Sequence, residues 1–110
     1  MFARRSILTS VVLLSLTAGP LAAAPGPVAA VTIRNFAFVP AILTVAPGTT
    51  VTWTNTDEDP HAPAANDKSF RSPALDTNDK FAFTFTKLGD YAYFCVMHPH
   101  MTGRIVVKAP

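Results

Sequence analysis

The chain has 110 residues, nine of them basic and seven acidic, and a single cysteine. That length allows one domain, and a lone cysteine excludes a disulfide framework within the chain. Arg4 and Arg5 lie in an N-terminal leader, so residues 31–110 carry seven charges of each sign. The basic balance belongs to the leader, and nucleic-acid binding is left without its electrostatic footprint.

The first thirty residues, MFARRSILTSVVLLSLTAGPLAAAPGPVAA, run from two arginines through an apolar stretch, Ile7 to Leu16, into small residues. This is the order of an export signal. The apolar stretch is too short for a membrane span, which takes ~20 apolar residues. Residues 1–30 therefore read as signal and short leader, with two candidate cleavage regions, Ala22-Ala23-Ala24 and Val28-Ala29-Ala30. Pro25 hinders cleavage directly after the first. The run RRSIL also resembles a twin-arginine signal. Either route gives a periplasmic domain spanning residues 31–110, of a size, roughly 80 residues, at which cores are marginal and staples common. In an oxidising compartment an unpaired cysteine is an intermolecular bridge, a reactive thiol or a metal ligand.

From Val31 the pattern is that of strands. VTIRNFAF is rich in β-branched and aromatic residues, with a break in phase near Asn35 that suggests a bulge. Pro40 ends it, ILTV follows as a short strand, and Ala46 to Gly48 reads as a turn. TTVTWTN alternates, Val51 and Trp53 on one face and Thr50, Thr52 and Thr54 on the other. Asp57 to Asp79 is rich in loop residues, and Pro60, Pro63 and Pro73 exclude regular central strands. Within it, Asp57-Glu58-Asp59 reads as a solvated loop. FAFTFT alternates again, with Phe81, Phe83 and Phe85 inward. A turn at Leu88-Gly89-Asp90 leads into YAYFC, and RIVVK closes the domain. No helical period appears. The aromatic residues fall on single strand faces and are assigned to the core. The expected fold is all-β, an antiparallel Greek-key β-sandwich.

The chemistry concentrates between Cys95 and Met101, in CVMHPHM. Cys95, His98 and Met101 form C-x-x-H-x-x-M: thiolate, imidazole and thioether, the graded softness that suits copper cycling between Cu(I) and Cu(II). Structural zinc would want four strong ligands and catalytic zinc three plus water, and a thioether serves neither. A second imidazole would complete the set. His61, about one strand beyond Trp53, is placed to supply it in a sandwich.

On these residues the chain resembles a cupredoxin, a small blue copper protein, in its amicyanin form. FVPAILTVAPGTTVTWTNTD, Phe38 to Asp57, is similar to the strands leading to the first histidine of that family, and Pro60 before His61 matches the amicyanin pattern. GDYAYFCVMHPHM is similar to the final strand and ligand loop, with the short two-residue spacing from His98 to Met101. The resemblance implies one type 1 copper ion held by His61, Cys95 and His98 in a plane, with Met101 as the long axial ligand. It also implies an electron carrier acting between a donor and an acceptor protein, such as a dehydrogenase and a cytochrome c, with His98 as the exposed edge. Two positions depart from the family pattern. Ala62 stands where an asparagine usually braces the ligand loops. Met97 replaces a proline, so its amide, with that of Ala62, is expected to face the thiolate. His100 lies where an apolar residue is usual, and reads as a surface residue of the docking patch.

A monomeric, non-enzymatic periplasmic electron carrier is the expectation. The rival is a copper carrier that delivers the metal to a target protein. An oxidase or reductase would need a second copper site, which three histidines and one cysteine do not provide.

Overall fold

The computed structural model describes residues 26–110 and, nearer the N-terminus, Ala3, Ile7 and residues 9–14. Eight strands follow in order: β1 (Val28–Arg34), β2 (Ala37–Val39), β3 (Ile42–Val45), β4 (Thr49–Asn55), β5 (Pro63–Ala65), β6 (Lys80–Phe85), β7 (Gly89–Cys95) and β8 (Thr102–Val107). They form two four-stranded sheets, ordered β2-β1-β4-β6 and β3-β8-β7-β5. The expected sandwich is present, but its sheets are mixed. β1 runs parallel to β4 and β3 parallel to β8, while the remaining pairings are antiparallel. Alternation in a strand tells which face is buried, not which way its neighbour runs, so these two pairings carry no sequence signal.

Period-two patterning explains the core. In β4, Val51 and Trp53 are buried and Thr50, Thr52 and Thr54 only partly so. Phe85 is fully buried, and Phe81 and Phe83 are partly buried against the same cluster. The Trp53 ring lies 5.1 Å from that of Phe70 and 5.6 Å, edge to face, from that of Tyr93. Tyr93 pairs across the ladder with Gly103, and its ring covers that glycine so closely that a Cβ there would collide with it. Pro63 opens β5 at the edge of its sheet, where a missing N–H costs no ladder bond.

The phase break at Asn35 is a tight hairpin rather than a bulge. Arg34 pairs with Ala37, and the two residues between them, Asn35 and Phe36, have φ of 52° and 57°. Positive φ at both central residues is the geometry that matches the twist of a two-residue hairpin. β1 starts at Val28, ahead of the boundary drawn at Val31, and pairs with β4 from Val28 against Thr50 onward. Ala22-Ala23-Ala24 lies outside the described residues. Among those described, no helix is long and apolar enough to cross a membrane.

Tyr93 generates a prediction about alkaline stability. Burial pushes its phenol from 10.0 up to about 12, with the nearby Trp53 N–H, not itself in hydrogen-bonding geometry, offsetting part of this. A folded-state value above the unfolded one means full stability below pH 10.0, lost as pH rises through about 12. That loss is of order 3 kcal/mol for a shift of this size. Denaturant unfolding across this range should show the decline in the parent protein and a shallower one in Tyr93→Phe.

Candidate metal centre

Cys95 is the last residue of β7, fully buried, and the strand ladder fixes where its side chain points. Pro63 of β5 pairs directly opposite it, and the Cys95 amide donates to Met101 O at 2.9 Å. Beyond it the loop folds into two successive turns. His98 N donates to Cys95 O at 3.2 Å, and Met101 N donates to His98 O at 2.8 Å. These bonds bring His98 back over the strand end and bury Met101 in the same cluster as Cys95.

His61 arrives from the other side, two residues before β5. It forms an isolated antiparallel bridge with Leu75, His61 N to Leu75 O at 3.1 Å and Leu75 N to His61 O at 2.8 Å. Val96 N then donates to Ala62 O at 2.9 Å, which ties the two ligand segments together.

The result is one cluster of three side chains. Cys95 Sγ lies 3.7 Å from His61 Nδ1 and 3.7 Å from His98 Nδ1. All three atoms fall within 4.8 Å of one another. A metal ion bonded at about 2.3 Å to sulfur and 2.0–2.1 Å to nitrogen, near the centre of such a triangle, would set each sulfur–nitrogen separation at about 3.7–3.8 Å. The donor set and its spacing therefore fit a single metal ion. His61 and Cys95 are buried and His98 is partly exposed. His100 is exposed and outside the cluster, as its position in the sequence suggested.

Ala62 N donates to Cys95 Sγ at 3.4 Å. Among the described residues it is the one amide on that sulfur, and the second expected from Met97 does not form. In the turn from Cys95 to His98 it is the His98 amide that points back to the strand end, bonding to the Cys95 carbonyl.

The bracing that Ala62 cannot supply comes from two residues further upstream. Asn55 is fully buried at the end of β4. Its Nδ2 donates to Asp59 O at 2.9 Å and Leu75 O at 2.8 Å, and its Oδ1 accepts from Asp57 N at 2.9 Å. Asp57 accepts from the amides of Asn35 and Phe36 and lies 2.9 Å from His61 Nε2. Burial would raise its carboxyl, but those two amides and the His61 imidazole outweigh this and hold it below the ordinary 3.8. Asp57 is thus no solvated member of an acidic loop, although Glu58 and Asp59 beside it are exposed. A carboxylate four residues before a ligand histidine was the signal available for it. Phe36 has no such signal. Its ring stands edge-on to both imidazoles, centroids 5.1 Å from each.

Comparison with known proteins follows the same lines. The family model for a cupredoxin-like domain matches residues 6–107. The chain belongs to the cupredoxin-like family. Amicyanin from Paracoccus versutus is 33% identical over 96 residues, covering 81% of this chain and 73% of that protein. Amicyanin-alpha from Methylorubrum extorquens is 33% identical over 102 residues, covering 86% of each. Among solved structures, a purple cupredoxin from Nitrosopumilus maritimus superposes with a TM-score of 0.71 at 35% identity, over 73% of this chain and 99% of that one. A copper-containing nitrite reductase from Thermus scotoductus gives the same TM-score, 0.71, at 33% identity, but this cupredoxin-like domain spans only 23% of that enzyme.

Asn55→Ala would remove the side-chain donor to the Asp59 and Leu75 carbonyls and the acceptor of the Asp57 amide. Leu75 O keeps the His61 amide, so the Asp59 carbonyl and the Asp57 amide are the groups that lose their partner. A loss of about 2 kcal/mol is expected, at ~1–3 kcal/mol for each group left unsatisfied and partial relief by water. Denaturant unfolding of the metal-free protein measures it.

Proposed function

We propose that this protein is an exported electron carrier with one type 1 copper ion, held by His61, Cys95 and His98 with Met101 as the weak axial ligand. The observation that carries this reading is the triangle of one cysteine sulfur and two Nδ1 atoms, with Met101 buried in the same cluster as Cys95. When bound, copper supplies a one-electron couple between Cu(I) and Cu(II). The chain supplies the rest. β7 and the doubly turned loop hold the sulfur and the His98 nitrogen at fixed separation, and the His61–Leu75 bridge holds the second nitrogen. The same packed side chains exclude water from Cys95. His98, the partly exposed member, is the edge through which an electron would pass to a docked partner protein. His100 lies beside it as a polar part of the docking surface. Three histidines and one cysteine do not provide the second copper site that an oxidase or reductase would need, which supports a carrier rather than an enzyme.

The leader pattern supports a periplasmic destination. The start of β1 at Val28 favours cleavage upstream of it, in the region of Ala22-Ala23-Ala24, because cleavage after Ala30 would remove three paired residues. Delivery of copper to a target is the second reading, and the exposed Met97 beside His98 is the feature that favours it. The two differ in how tightly the metal is kept. A carrier of electrons holds copper against a chelator, and a carrier of copper releases it.

Copper-loaded protein should show the intense visible band of thiolate-to-Cu(II) charge transfer, and Cys95→Ser should lose it. His100→Ala should keep both copper and colour. A blue Cys95→Ser variant, or a His100→Ala variant that cannot hold copper, would overturn the assignment. Absorption spectroscopy with a copper assay reads both.

A further inference from the structure

Three donors converge on one carboxylate beside the paired imidazoles. Asn35 N donates to Asp57 Oδ1 at 2.7 Å, Phe36 N to Oδ2 at 2.9 Å, and His61 Nε2 stands 2.9 Å from the same Oδ2. The His61 side chain is fully buried and that of Asp57 is 12% exposed, so little water competes. An ionised carboxylate can only accept. The imidazole proton therefore belongs on Nε2, which leaves the lone pair on Nδ1, the atom that faces Cys95 Sγ.

The other two donors are successive amides of a turn whose residues both have positive φ. Residues with side chains keep that conformation where the surroundings over-determine it, and two adjacent N–H groups aimed at one anion do so. The turn carries the Phe36 ring, 49% exposed on its outer side and edge-on to His61 and His98 on its inner side. The interplanar angles, 87° and 88°, put the ring nearly perpendicular to each imidazole.

We propose that Asp57 is the positioning residue of the metal centre: its carboxylate fixes the tautomer of His61 and, through the Asn35–Phe36 turn, holds the Phe36 ring as a cover over both imidazoles. An anionic acceptor on Nε2–H raises the basicity of Nδ1 and fixes the ring orientation, as outer partners of metal-bound histidines do. One side chain thus sets both the strength of a ligand and the access of solvent to it. The part concerning metal affinity rests on copper as the occupant. The part concerning the tautomer and the ring is a property of the metal-free chain.

The test has two arms. Nitrogen NMR of metal-free wild-type protein, at a pH where His61 is neutral, should show Nε2 protonated with a slowly exchanging proton and Nδ1 bare. A proton on Nδ1 overturns the proposal whatever metal the site takes. In the second arm, Asp57→Asn keeps the size of the side chain and removes its charge and one acceptor. Cu(II) affinity, measured by competition with a chelator, should fall about 10- to 100-fold. The reduction potential should rise, and contacts between Phe36 and the imidazole protons should weaken. Thr77→Val removes a 2.7 Å bond to the Asp57 main-chain carbonyl without touching the carboxylate, and should leave affinity and potential unchanged. Unchanged affinity in Asp57→Asn, or an equal loss in both variants, overturns the proposal. If Asp57→Asn does not fold, the wild-type tautomer decides. Wild-type protein that binds no copper would defeat the proposed function and leave the first arm intact.

Discussion

The Cys95 sulfur is held by the backbone around it, and the rest of the centre is arranged with respect to it. Cys95 sits at the end of a strand paired on both sides, with β5 along one edge and β8 along the other. Its amide is bonded to Met101 O and its sulfur accepts from Ala62 N, so neither main chain nor side chain is free to swing. Because Pro63 pairs opposite it, His61 two residues earlier must lie beside it. Because its amide bonds to the residue that ends the loop, the loop must close over it. Ligands fixed in this way by protein bonds need move little when the charge of a bound ion changes.

The outer part of the site depends on polar groups buried with their partners. Asn55 and Asp57 between them tie the segment before His61 to Leu75, to Asp59 and to the β1–β2 turn. Buried amides and carboxylates are tolerated because each finds a partner, and a change to one leaves the others uncompensated. This arrangement takes over the task that an asparagine after the histidine would perform, and leaves Ala62 to act through its backbone alone.

Much of this was legible in the sequence, and what was not has a common physical cause. The buried faces of β4 and β6 could be read because strand periodicity is local. The gathering of Cys95, His98 and Met101 was visible because seven residues hold all three. The parallel pairings, the Asn35–Phe36 turn and the role of Asp57 are set by contacts between distant parts of the chain. Asp57 bonds to residues 21 and 22 positions before it. Composition alone does not distinguish the part-buried carboxylate of Asp57 from its exposed neighbours Glu58 and Asp59; only its spacing of four residues from His61 does. Asn-Phe is no hairpin signature either, since a phenylalanine at positive φ is stabilised here by an anion contributed from elsewhere. Likewise Met97 brings an N–H that a proline would lack, but the direction it points follows from the turn and not from the residue type.

The parallel pairing of β3 with β8 has a consequence in time. The third strand finds its partner only in residues 104–107, the last strand of the chain. Until that segment is present, β3 lacks its parallel partner and β7 lacks one neighbour. The Met101 carbonyl that receives the Cys95 amide is then also missing. Contacts of such long sequence separation form slowly, because chain ends must be brought together before any gain is made. A chain threaded across a membrane from its N-terminus would therefore stay open, its sulfur and imidazoles far apart, until nearly all of it had crossed. In a chain so threaded the centre would assemble on the side where the C-terminus arrives, and whichever metal it took would be the one available there.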